Sequence, residues 1–259
     1  MRTICMVTSD QISKQNQATY VLVHGAWHGS WCWKRIRKRL QDAGHQVFTP
    51  TLTGLGERCH LNSSAVSLST HIADVVNLLR WEDLSDVVLC GHSYGGMVIT
   101  GVADRIPERI RALVYLDAFV PEDGECLFDL APEHAQHMRL QAHTAGSGWN
   151  VLPILAEHFN VNLRDAGWVN AQCTSQSIAS FEEHIRLNWV PSHTHDATHI
   201  LATGWDNSPF LAAHERAKAK GWKTRTVTCG HEVMLDLPRE LTDLLLEVAT
   251  SAVPSLVMT

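Results

Sequence analysis

The chain has 259 residues, 45% of them hydrophobic and 19% charged, with a formal net charge of −6. That length makes one large domain or two small ones, and about 70–75% of the unfolded surface can be buried without help from disulfides or a metal. The apolar content excludes disorder, the ordinary Gly and Pro counts with no 20–50-residue period exclude collagen-like and repeat chains, and the acidic balance speaks against a nucleic-acid partner.

The first apolar run, Tyr20 to His24, ends at Gly25 and reads as a buried strand. Trp33, Ile36, Leu40 and Ala43 then recur at helical spacing, with Lys34, Arg35, Arg37, Lys38 and Arg39 forming the wet face of that helix. Gly44 stops it, and Gln46 to Thr49 is a second strand closed by Pro50. Ser69 or Thr70 can cap a helix that runs to Leu79 and aligns Ile72, Val75, Val76 and Leu79. Asp86 to Cys90 is a third strand, Gly95 onward a helix until Pro107, and Arg111 to Leu116 a fourth strand. Near-continuous apolar strands alternating with helices specify a mostly parallel sheet covered on both faces, an α/β fold.

From Pro121 to His195 the strand signals vanish and helical fragments take over. This stretch reads as a helical cap, 121–195, inserted into a core made of 19–120 and 196–259. The pattern resumes with a strand at Thr198 to Thr203, a helix at Ser208 to Lys220, a strand at Lys223 to Cys229 and a last helix from Arg239 to Thr250. The first 18 residues read as a loose segment.

The seven cysteines (Cys5, Cys32, Cys59, Cys90, Cys126, Cys173 and Cys229) are scattered with no C-x-x-C, the usage of a reducing compartment. Ile4 to Val7 is too short for a signal-peptide core, and no window approaches ~18 unbroken apolar residues. The expectation is a soluble cytoplasmic protein with no membrane partner. Homodimerisation is compatible with it.

Gly91-His92-Ser93-Tyr94-Gly95 matches G-x-S-x-G and lies between a buried strand and a helix, the context that gives this motif meaning. Such a turn holds the serine hydroxyl at the carboxyl end of the sheet, where ligands bind in open α/β folds. A serine needs a base, and His231 follows the last strand across Gly230, which puts it on the same rim. Two carboxylates could orient that histidine. Asp206 lies just beyond the penultimate strand and Asp117 at the tip of the strand after Ser93; Asp206 is favoured slightly. The oxyanion donors expected are the amides of Tyr94 and of Ala26 or Trp27, with Gly25 supplying the backbone bend.

Val23-His-Gly-Ala-Trp-His-Gly-Ser-Trp, Gly91-His-Ser-Tyr-Gly-Gly, Leu113-Val-Tyr-Leu-Asp-Ala-Phe-Val-Pro and Gly230-His together resemble the α/β-hydrolase superfamily. Within it they are most similar to bacterial esterases of the branch that holds plant methylesterases and hydroxynitrile lyases. The likeness covers 20–126 and 198–250. It implies Ser93 as nucleophile, His231 as base, Ala26 and Tyr94 as oxyanion donors, and no cofactor. It leaves both acids open, since Thr203-Gly-Trp-Asp206 looks like the turn after the seventh strand and Asp117 takes the place used after the sixth. It disfavours cyanohydrin cleavage, because such lyases carry a lysine after the histidine and a threonine in the oxyanion loop, where this chain has Glu232 and Gly25.

The activity expected is hydrolysis of a small hydrophobic or aryl ester through an acyl-enzyme. Trp27, Phe119, Trp149, Phe159, Trp168 and Trp189 are the candidate substrate contacts. The other readings are a lactonase or thioesterase with the same triad, a non-catalytic small-molecule receptor, and a metal hydrolase built on His193, His195, Asp196 and His199. No metal is expected on the favoured reading.

Overall fold

The structure, a computed structural model, describes residues 17–188, 196–206 and 208–251. Most of the loose N-terminal segment, together with Trp189, His193 and His195, lies outside the described residues. Ala18 is already buried, and its N–H donates to His45 Nδ1 at 3.1 Å.

Six strands form one sheet in the order β2-β1-β3-β4-β7-β8, and every pairing is parallel. They are β1 (Thr19–Val23), β2 (Gln46–Phe48), β3 (Val87–Ser93), β4 (Ile110–Ala118), β7 (Asp196–Ala202) and β8 (Lys223–Val227). Alternate side chains feed two separate cores. Tyr20, Leu22, Val88, Cys90, Val114 and Leu116 face one side, where Ile36 and Leu40 of α1 (Lys34–Asp42) and Leu241 and Leu245 of α9 (Pro238–Ser251) cover them. Val21, Val23, Val87 and Leu89 face the other, under α2 (Leu68–Trp81), α3 (Gly95–Arg105) and α8 (Phe210–Ala219). This two-sided burial is why the strands read as unbroken apolar runs.

Element boundaries differ where local chemistry outweighs periodicity. Helix α2 starts at Leu68, because Ser67 is the N-cap and its N–H donates to Thr70 Oγ1 at 3.3 Å. Thr70 thus closes a capping box from inside the helix. Strands β3 and β4 run on to Ser93 and Ala118, so both carry site residues within the sheet.

The chain between β4 and β7 holds four short helices: α4 (Leu127–Leu130), α5 (Pro132–Thr144), α6 (Ala166–Gln172) and α7 (Ala179–Glu182). It also holds a two-stranded antiparallel ribbon, β5 (Asn150–Val151) with β6 (Gln176–Ser177). The stretch read as helical fragments thus also holds this ribbon, since strands of two residues leave no alternation to read.

Strand β1 has β2 on one side and β3 on the other, so the connections after β1 and β3 leave in opposite directions. That reversal opens a crevice at the carboxyl ends of β1 and β3, the place where ligands bind in open α/β sheets. Gly25–Trp27 and Ser93–Tyr94 are the residues that flank it.

Candidate active site

Ser93 ends β3 with φ at 55°, a left-handed conformation that costs a non-glycine residue energy and persists only when its surroundings enforce it. The glycines explain the enforcement. A Cβ on Gly91 would lie 2.5 Å from the Gly95 carbonyl oxygen, and one on Gly95 would lie 2.8 Å from that of Val23. A Cβ on Gly96 would strike the Phe119 carbonyl oxygen. Only glycine lets strand, turn and helix pass this closely. Gly25 serves in the same way: a Cβ there would sit 2.9 Å from Ser93 Cβ. The expected backbone bend lies elsewhere, because Trp27, with φ at 63°, is the left-handed residue of that loop.

His231 is buried against four aromatic rings. Phe210 stacks on it at 5.0 Å and 9°, and His92, Trp205 and Phe159 close the remaining sides. Its Nδ1 lies 2.7 Å from Asp117 Oδ2. Asp117 is fully buried, and its carboxylate also accepts from the Ala202 N–H at 3.0 Å and from Trp205 Nε1 at 3.2 Å. A carboxylate so placed can only accept, so Nδ1 carries the proton and Nε2 is left with its lone pair. Of the two candidate acids, the structure places Asp117 against His231 and not the slightly favoured Asp206. Asp206 is exposed, and the histidine nitrogen it would have to reach is occupied.

The reason lies in a bulge. His92 pairs with Leu116 and Ser93 with Ala118, so Asp117 is skipped in the register, with φ at 41°. An extra residue of this kind re-aims its side chain, here out of the ladder and toward His231.

The Trp27 N–H donates to Gln176 Oε1 at 2.9 Å, whereas the Ala26 N–H has no protein acceptor among the described residues. Tyr94 is the N-cap of α3, where amides lack intrahelical acceptors. The Tyr94 side chain points away, 2.8 Å from His71 Nδ1; the other nitrogen of His71 donates to the Thr53 carbonyl at 3.0 Å.

Three buried histidines hold backbone carbonyls around these groups. His24 accepts from the Leu52 N–H at Nε2, so its Nδ1 donates to the Gly25 carbonyl at 2.8 Å. His28 Nδ1 donates to the Ala26 carbonyl at 2.7 Å, and His92 Nε2 to the His231 carbonyl at 3.1 Å. Burial pushes the His24 and His92 imidazoles down to about 3, so both are neutral donors at pH 7.

Ser93, Tyr94, Ala26 and His231 line one cavity, walled by Trp27, Phe119, Leu127, Met138, Phe159, Phe181, Trp205 and Phe210. Of the predicted contacts, Trp27, Phe119 and Phe159 face it. Trp149 and Trp168 do not. Trp168 packs edge-on against Trp31, 5.0 Å away, in a separate groove beside Lys34 and Arg164. Sequence reasoning missed Phe181, Trp205 and Phe210, whose spacing shows nothing of a shared cavity. Within the metal-hydrolase reading, Asp196 pairs with Lys223 at 2.9 Å, and His199 is engaged by the Ala118 carbonyl and His214.

Comparison with known proteins matches residues 20–244 to the model of the alpha/beta hydrolase family. A carbendazim hydrolyzing esterase from Nocardioides sp. (strain SG-4G) is 47% identical over 237 residues, 87% of this chain and 97% of that protein. Methylesterase 7 of Arabidopsis thaliana is 33% identical over 43% of this chain and 44% of its own length. Among solved structures, an extracellular alpha/beta-hydrolase from a Paenibacillus species superposes with a TM-score of 0.78 at 23% identity, covering 89% of this chain and 98% of that one. The chain belongs to the alpha/beta hydrolase family. Within that family it is an ester hydrolase. Among the described residues no helix is long and apolar enough to cross a membrane.

Proposed function

We propose that the protein cleaves small hydrophobic or aryl esters with Ser93 as nucleophile, His231 as general base and Asp117 as the carboxylate that orients it. The observation that carries this reading is the 2.7 Å contact of His231 Nδ1 with buried Asp117, on a histidine that shares a cavity with the strained Ser93 turn. His231 Nε2 takes the hydroxyl proton as Ser93 Oγ attacks the ester carbonyl. The Ala26 and Tyr94 amides receive the developing oxyanion, and His231 returns the proton to the departing alcohol. Water then attacks the acyl-enzyme by the same route.

The segment 121–195 acts as a cap. Leu127, Met138, Phe159 and Phe181 come from it and line the same cavity as Ser93. An aromatic cavity with few free polar groups suits an aryl or alkyl ester, and carbendazim belongs in the panel of test compounds because a 47% identical relative is named for hydrolysing it. Residence in the cytoplasm, action without nucleic acid or membrane, and assembly as a homodimer complete the proposal. Six unpaired thiols among the described residues support a reducing compartment.

The test is Ser93→Ala with short p-nitrophenyl esters. Turnover is expected to fall at least ~10⁴-fold with the circular dichroism spectrum unchanged. Undiminished hydrolysis by this variant would discard the serine mechanism, and fluorophosphonate labelling of Ser93 without turnover of any ester would favour a receptor.

A further inference from the structure

The residue after His231 is Glu232, which is fully buried and has no place in the proposed reaction. Its Oε1 lies 3.1 Å from Nε2 of His28, an equally buried side chain on the loop after β1. Neither carboxylate oxygen has any hydrogen bond of good geometry among the described residues, so His28 is the sole charge partner within contact. Burial by itself would push His28 down; the facing carboxylate reverses this and holds it well above the usual imidazole range. Burial likewise opposes the Glu232 charge, and the neighbouring imidazoles, His28 foremost, hold the carboxyl well below its ordinary value.

A buried ion pair is weak evidence for stability, because desolvation offsets most of the attraction. Its location is more informative. His28 uses its other nitrogen to hold the Ala26 carbonyl at 2.7 Å. That carbonyl shares a peptide with the Trp27 N–H, which Gln176 holds. The preceding peptide is held at its Gly25 carbonyl by His24. Both planes flanking Ala26 are therefore fixed, the left-handed Trp27 is kept in place, and Ala26, whose N–H has no protein acceptor among the described residues, lines the cavity. Trp31 stacks on the His28 ring at 4.8 Å and sets its plane.

We propose that Glu232 and His28 form a positioning pair that ties the loop of the base to the loop of the oxyanion donor. The chain from His231 through Glu232, His28 and the Ala26 carbonyl joins two segments about 200 residues apart in sequence and keeps the donor in register with the base. This rests on the assignment of Ser93, His231 and the Ala26 amide made above. Both members act through other groups and touch no substrate.

Three variants test the pair: Glu232→Gln, His28→Gln and the double. Glutamine at 28 can still meet residue 232 but cannot hold the Ala26 carbonyl. The double variant buries no charge and is the measurement that decides if a single variant fails to fold. Each folded variant is expected to lose about 10–100-fold in kcat with KM within about twofold of wild type. Affinity for a trifluoromethyl ketone, which loads the oxyanion site, is expected to fall by the same factor as kcat/KM. The double variant is expected to lose no more than the worse single one, because one connection is broken in all three. Wild-type kcat in the folded double variant, single losses that multiply, or a rise in KM alone would overturn the pairing. Failure of the underlying reading looks different: Ser93→Ala would then remain active, whatever the pair does.

Discussion

At the scale of single residues, the deciding group is Asp117. It lies at the end of an apolar strand in the sequence and reads equally well as a cap or a solvated tip. The register slip that turns its side chain toward His231 depends on β3 and β4 pairing across the Ser93 turn, which no local pattern records. Asp117→Asn is expected to lower kcat by about 10³–10⁴-fold, since an amide can force the wrong histidine tautomer, whereas Asp206→Asn stays within about twofold. Steady-state kinetics of the two variants on one ester checks this; equal losses would contradict the geometry. Ser93 and His231 stood out because each sits in a short context with a mechanical reason: glycines around Ser93, and a strand end before His231. Among the 16 histidines, by contrast, the buried ones near the site had no local signal. His24, His28 and His92 clamp three carbonyls around the site, a role defined by partners in other segments.

At the scale of elements, the β3–α3 turn is built from close backbone approaches, so its glycines differ in kind from those on the surface. Gly96→Ala would press a methyl group onto the Phe119 carbonyl oxygen, a backbone atom in a packed sheet that has little freedom to yield. A loss of about 1–3 kcal/mol in urea denaturation is expected. Gly167 in α6 has nothing within 4 Å of an added Cβ and ordinary φ, so Gly167→Ala is expected to be neutral or to stabilise by about 0.5–1 kcal/mol. The strands and long helices of the sheet domain were readable from periodicity and caps, to within a few residues. The insertion was not. Its short helices and two-residue strands carry little pattern, and its aromatic residues divide between the cavity (Phe159, Phe181) and a distant groove (Trp168) for reasons of three-dimensional placement alone.

At the scale of the whole molecule, the buried neutral histidines make stability depend on pH. Burial holds His24 and His92 at about 3 and His199 at about 4, all below the ordinary imidazole value of 6.5. The unfolded chain binds protons at these residues below pH 6.5 while the folded one does not, so each removes up to about 1.4 kcal/mol per pH unit as the pH falls toward its folded value. Glu232, held low, adds stability above its ordinary carboxylate range and loses it in strong acid. His28, held high, adds stability that is complete below pH 6.5 and is lost progressively as the pH rises above it. Urea midpoints are therefore expected to drop steeply between pH 6.5 and 4.5, and a flat profile there would show that these imidazoles are solvated. The α/β class, the parallel sheet, the serine turn and the histidine on its rim were set by the sequence, because apolar period, glycine spacing and strand ends act over a few residues. The tertiary structure decided which aspartate meets His231, which amide of the β1 loop Gln176 engages, the lining of the cavity and the burial of Glu232 against His28. Each of those joins segments roughly 100 to 200 residues apart, and only the packed sheet brings them within hydrogen-bonding distance.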